Sequence, residues 1–287
     1  MPVVKPQRYW FWRGYRVRYC YQGGQTRGIP LLLLHGFGAA LEHWRYNLPV
    51  LAEHHPVYAL DLLGFGDSQK AQAHYGVRLW AAQVFEFWRT FIGQPVGLVG
   101  HSLGALVALT AAVAHPEMVR GLVLISLPEG RPTGQPAWVG GIERALLPVV
   151  TLPLFYILRQ PGVIRWVCRS WVYQNPEAVN SELVQMFARP AQESWAGLTL
   201  CRMAQASSRP GYAPRVATLL AALSVPTLLV WGEQDRLVPV QQGRRWVQQF
   251  PQLRWAAVPA GHCPQDEVPV LVNELLDEWL KQWGEAA

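Results

Sequence analysis

Pro95-Val96-Gly97-Leu98-Val99-Gly100-His101-Ser102-Leu103-Gly104-Ala105-Leu106-Val107 is the stretch whose reading decides the fold. Its first five residues are short and apolar, the pattern of a buried strand. From Ala105 to Ala114 the chain is rich in alanine and leucine, which predicts a helix. Between them lies a G-x-S-x-G, with Gly100 and Gly104 supplying the small neighbours that a serine on a sharp strand-to-helix turn requires. Such a turn lifts the Ser102 hydroxyl above the sheet edge and aims the N-terminus of the helix at whatever the hydroxyl attacks.

Working outward, the same alternation recurs. Residues 9–12 and 15–21 predict a β-hairpin turning at Arg13-Gly14. The four leucines at 31–34 predict a strand covered on both faces. A helix is expected over 43–53, then a strand over 57–60. Val77, Trp80, Val84, Trp88 and Phe91 fall at helical spacing and predict a core-facing helix. After the serine turn come strands over 121–125, 227–231 and 253–258, with helices over 241–249 and 268–283. Strands alternating with helices predict an α/β fold with a mostly parallel, doubly wound sheet. Between Leu127 and about Arg215 the alternation stops, with clustered prolines and helix-like pieces. This predicts a core of 1–127 and 216–287, and a helical cap inserted at 128–215 over the strand ends where open α/β sheets bind ligands.

The 287 residues suit one large domain carrying an insertion. Hydrophobic residues make up 51% and charged residues only 15%, which fits either some surface not meant for water alone or a large core enclosing an apolar ligand pocket. The net charge of +6 comes from scattered arginines without a lysine-rich run, which argues against nucleic-acid binding. Cys20, Cys168, Cys201 and Cys263 form no C-x-x-C pair, as expected of free thiols in a reducing compartment. The N-terminus has no apolar signal region, and a cytoplasmic location is expected.

A serine hydroxyl needs a base to take its proton and a third group to orient that base. After Ser102 the only histidines are His115, at the end of the serine helix and expected to point away, and His262, directly after the last strand. His262 is therefore the expected base. Asp235, after the strand at 227–231, is the preferred acid; Glu233, Asp266 and Glu267 are the alternatives. His35-Gly36-Phe37-Gly38 follows the leucine strand and offers the N–H of Phe37 as one oxyanion donor, with the N–H of Leu103 as the second. His35 and His101 are expected to fix loops without moving protons, and the carboxylates of Asp61 to Ser68 to shape a turn. Gly36, His101, Phe155 and Trp138 are the residues expected to border the substrate.

Taken together, His35-Gly36-Phe37-Gly38, Asp61 to Ser68, Gly100 to Gly104, Gly232 to Pro239 and Gly261-His262 resemble the α/β-hydrolase superfamily across nearly the whole chain. Trp12 to Tyr15, His43 to Asn47, Val57 to Gly66 and Gly261 to Glu267 are similar, more narrowly, to the plant and cyanobacterial branch of chlorophyll dephytylases and pheophytinases. That resemblance implies a Ser–His–Asp triad at Ser102, His262 and Asp235, cleavage of the phytyl ester of chlorophyll or pheophytin, and no metal or organic cofactor. The same fold also hosts general lipophilic esterases and lipases, and non-catalytic pigment binders. From Arg131 to Tyr173 five arginines (131, 144, 159, 165 and 169) face one acid, Glu143, among many apolar and aromatic residues. Two expectations fit this makeup: a lid with its apolar side on the site, or peripheral contact with the thylakoid membrane.

Overall fold

The computed structural model describes residues 7–23, 28–129, 151–207, 209 and 211–284. Eight strands form one sheet: β1 (Gln7–Trp12), β2 (Tyr15–Gln22), β3 (Leu31–Leu34), β4 (Val57–Leu60), β5 (Val96–His101), β6 (Val119–Ile125), β7 (Thr227–Gly232) and β8 (Arg254–Val258), in the order β1-β2-β4-β3-β5-β6-β7-β8. β1–β2 and β2–β4 are antiparallel, and every other pairing is parallel. This is an α/β-hydrolase fold. The hairpin turns on Arg13 (φ 49°) and Gly14 (φ 84°), both left-handed as a tight two-residue loop demands.

Helices cover both faces of the sheet, and this explains why its central strands are apolar throughout. Along β3, Leu32 and Leu34 enter one core while Leu31 and Leu33 enter the other. Leu122 and Leu124 of β6 likewise divide from Val123 and Ile125. Period-two alternation therefore survives as a choice between two dry interiors. Helix Val77–Phe91 packs Val77, Trp80 and Val84 into the first of these cores, as the spacing predicts, with Trp88 and Phe91 half-buried against it and Phe87 buried as well.

One predicted helix differs. In place of one helix over 43–53 there is a 3₁₀ turn, Leu41–Trp44, and a separate α turn, Leu48–Leu51. Pro49 lies inside the expected span; it has no N–H for a helix interior and its ring would clash with the preceding turn, so it is tolerated only at a new helix start. The helix expected over 268–283 is present as Pro269–Gly284, with the short Pro264–Glu267 before it.

Residues 151–207, referred to below as the cap, hold helices and no strand: a helical stretch over 151–158, Pro161–Val167 running into a π turn at Cys168–Val172, then Ser181–Ala191 and Ala196–Ser207. The Asn180 side chain accepts from the N–H of Leu183, capping the third of these. Cys168, Tyr173, Val179, Leu183 and Val184 form a small core of their own, joined by Cys263 from the loop after β8. Arg131, Trp138, Glu143 and Arg144 lie outside the described residues.

Candidate active site

Parallel strands end on the same side, so the loops after β3, β5, β7 and β8 gather at one edge of the sheet. Ser102 follows β5 directly, with φ 52° and ψ −116°. A non-glycine residue is strained there and persists only where its surroundings dictate it. The surroundings are tight. A Cβ on Gly100 would lie 2.3 Å from the Gly104 carbonyl oxygen, and one on Gly104 would lie 2.4 Å from that of Leu34. The helix Leu103–Ala114 can thus begin against β3 and β5 only if both positions lack a side chain.

Above this turn three distant side chains meet. His262 Nε2 lies 3.0 Å from Ser102 Oγ, and His262 Nδ1 lies 2.8 Å from Asp235 Oδ2. A carboxylate only accepts, so Nδ1 carries the proton and Nε2 is left to accept from the serine hydroxyl. Asp235 is itself fixed, its Oδ1 accepting from the N–H groups of Leu237 and Val238 at 2.9 and 2.8 Å. The alternative acids go elsewhere. Glu233 is exposed. Asp266 pairs with Arg45 at 2.7 Å and accepts from the Tyr173 hydroxyl. Glu267 accepts from the N–H groups of Gly261, Gln174 and Asn175. Burial pushes both of these carboxyls above their ordinary range, against the pull of Arg45 on Asp266 and of the backbone donors on Glu267.

Leu103 opens its helix, so its N–H has no acceptor within that helix, and Phe37 follows β3 beside the turn. A Cβ on Gly36 would touch His101 and approach the Ser102 Cβ to 3.3 Å, which puts this loop against the serine. Phe37 and Phe155 line a cleft of about 130 Å³ together with Phe65, Phe187, Leu200 and Met203. Its wall is apolar apart from Lys70 and Thr199.

His101 does not line this cleft, contrary to its expected place at the substrate. Its ring is buried behind the site, and Nε2 donates to the carbonyl of His262 at 2.8 Å. His35 donates through Nδ1 to the Gly36 carbonyl and accepts at Nε2 from the N–H of Leu62. Asp61 accepts from Leu41, Asp67 and the buried Arg18, and so shapes its turn. His115 caps the far end of the serine helix and stacks on Phe85. Trp138 lies outside the described residues. Among the described residues, His43, His101 and Cys263 bring their donor atoms within 4.8 Å of one another, the separation a metal would need. All three are buried, and His43 Nε2 is engaged by Tyr173, so they read as the packed wall behind His262.

Sequence reasoning missed the cap's part in the site. The N–H of His262 donates to the carbonyl of Val172 at 2.7 Å, and Arg236 Nη1 donates to that of Ser170. Tyr173 and Glu267 complete this strap. No local pattern marks it, because its partners lie some ninety residues apart.

Comparison with known proteins gives a consistent setting. A family model described as alpha/beta hydrolase fold matches residues 29–269. An uncharacterized hydrolase, YugF, of Bacillus subtilis is 27% identical over 98% of this chain and 100% of its own length. The chloroplastic pheophytinase of Arabidopsis thaliana is 28% identical over 93% of this chain, which spans 64% of that protein. The crystal structure of a bacterial membrane phospholipase A superposes with a TM-score of 0.74 at 27% identity, over 99% of this chain and 88% of that one.

Proposed function

The chain belongs to the alpha/beta hydrolase fold family, and from that premise we propose that this hydrolase is a serine esterase of lipophilic esters, with the phytyl ester of chlorophyll or pheophytin as substrate. The observation that carries the reading is the 3.0 Å approach of His262 Nε2 to Ser102 Oγ, with Asp235 at 2.8 Å behind. His262 takes the hydroxyl proton as Ser102 Oγ bonds to the ester carbonyl carbon. The N–H groups of Phe37 and Leu103 hold the negative oxygen, each such donor being worth roughly 3–4 kcal/mol. The tetrahedral adduct collapses, the bond to the alcohol oxygen breaks, and His262 returns the proton to the leaving alkoxide. Water, deprotonated by His262 in its turn, then releases the acid and restores Ser102. No step calls for a metal; the magnesium of chlorophyll belongs to the substrate.

Likeness to the pheophytinase supports the pigment ester, and the apolar cleft supports a hydrocarbon-bearing substrate. The hydrocarbon of such a molecule would lie against the cleft wall beside Phe37, whose N–H is the expected oxyanion donor. The same apolar wall suits a second reading, a lipase-like hydrolase of linear acyl esters. One experiment separates them: chlorophyll, pheophytin and a medium-chain p-nitrophenyl ester are each incubated with the protein, and products are resolved by chromatography. Free phytol with the parent and none with Ser102→Ala supports the pigment reading. Cleavage of the linear ester alone selects the second. Equal product from parent and Ser102→Ala ends both.

A further inference from the structure

The cap turns an unusual amount of hydrocarbon outward. On the helical stretch 151–158, Phe155 faces the cleft and is buried, while Leu154, Ile157 and Leu158 on the other side are exposed, Ile157 to 57%. The next helix and its π turn continue the pattern, with Trp166 at 61% and Trp171 at 51% exposed. A helix apolar on both sides is ordinarily buried on both sides.

The charges beside these residues narrow what could cover them. Residues 151–173 contain Arg159, Arg165 and Arg169 and no Asp or Glu. Arg159 lies over the Tyr156 ring at 4.3 Å, a cation held among apolar groups, and Arg169 is exposed between the two tryptophans. A second copy of the chain is a poor occupant: a two-fold interface sets the patch against itself and opposes these arginines without an acid from the same segment to separate them. Tryptophan and tyrosine interleaved with arginine are instead what a surface needs when it sinks rings among headgroups and pairs cations with phosphate.

We infer that the outer face of the cap, built from Leu154, Ile157, Leu158, Trp166 and Trp171 with Arg159 and Arg169, docks on a bilayer surface containing anionic phospholipid. Docking of this kind brings the cleft lined by Phe155 on the inner side of the same helix to the lipid. The inference concerns binding alone and is independent of which ester is cleaved.

The test is co-sedimentation of the full chain with vesicles of phosphatidylcholine alone or with about a third phosphatidylglycerol, at low and high salt. The parent is expected to pellet with the anionic vesicles and to be released by salt. Arg159→Gln and Arg169→Gln should each weaken partitioning about fivefold. Ile157→Ser with Trp166→Ser should weaken it roughly tenfold or more. Ile157, Trp166 and Arg169 are exposed and Arg159 is half-buried, and none touches the triad, so the variants should keep the parent's melting temperature and its rate on a water-soluble short-chain ester. Failure of the parent to bind anionic vesicles, or equal binding by parent and variants, overturns the inference. So does a dimer in sedimentation equilibrium that Ile157→Ser with Trp166→Ser dissociates.

Discussion

The main-chain N–H of His262 donates to the carbonyl of Val172, so a residue of the cap holds the backbone of the imidazole that faces Ser102. The opposite side of the same peptide segment is held from the sheet, since His101 Nε2 donates to the His262 carbonyl. The base is thus clamped between cap and core, and its distance from the serine depends on both.

Glu267→Ala should loosen this clamp. Its carboxylate accepts three N–H bonds that tie Gly261 to Gln174 and Asn175. Removing it strands those donors and should cost about 2 kcal/mol of stability, together with a kcat reduced roughly tenfold. Glu267→Gln, which keeps an accepting oxygen, should recover part of both. Urea titration and ester kinetics check this; an Ala variant with unchanged kcat would show that the strap does not position His262.

Asp235→Asn should lower kcat by about 10⁴ with little change in stability. The amide oxygen can still accept from Leu237 and Val238, which turns the amide nitrogen toward His262. Nδ1 must then accept, Nε2 carries the proton, and the Ser102 proton has nowhere to go. Steady-state kinetics paired with a thermal melt decide it, and retention of more than a tenth of the parent's kcat counts against Asp235 as the orienting acid.

Two glycines give opposite expectations for the same change. Gly104→Ala drives a methyl group to 2.4 Å from the Leu34 carbonyl oxygen and should abolish activity and lower the melting temperature severely. Gly162 lies in the helix Pro161–Val167 with nothing within 4 Å of a new Cβ. Gly162→Ala should therefore stabilise the chain by about 0.5–1 kcal/mol and leave kcat alone. Melting curves of the two variants side by side are sufficient.

Acid should destabilise the fold through its histidines. His35, His43 and His101 are fully buried, and desolvation holds each below the ordinary value of 6.5. As pH falls through 6.5 the unfolded chain takes up protons that the folded chain refuses. Stability is therefore complete above that value and declines below it, by up to about 1.4 kcal/mol per pH unit for each histidine. The raised carboxyls Asp266 and Glu267 act in the opposite sense, so the His101→Asn variant supplies the cleaner reading: its slope should be flatter than the parent's. Urea midpoints between about pH 7.5 and 5.5 measure both slopes. A parent whose midpoint does not move would refute the account.

Much of this was legible in the sequence, and for local reasons. Gly100 and Gly104 announce the turn because only a missing Cβ permits the approach of Leu34 to the serine helix. The order of Ser102, Asp235 and His262 is legible because each directly follows an apolar run that forms a strand. The expected helix over 43–53 is instead two short turns, because Pro49 has no N–H for a helix interior. Of the two places expected for His101, fixing a loop and bordering the substrate, the structure shows the first, with its ring holding the His262 carbonyl. Tyr173 and Val172 were invisible, since only the folded chain brings the cap's π turn against the loop after β8.

The double-sided helix at 151–158 bears on how the reaction would be counted. Were Ile157 and Leu158 seated in lipid as inferred, with Phe155 at the cleft, an ester substrate would arrive from the plane of the bilayer without crossing water. Its effective dose is then its mole fraction in that plane. Diluting the layer with inert lipid would slow turnover even while the amount of ester per litre stayed constant.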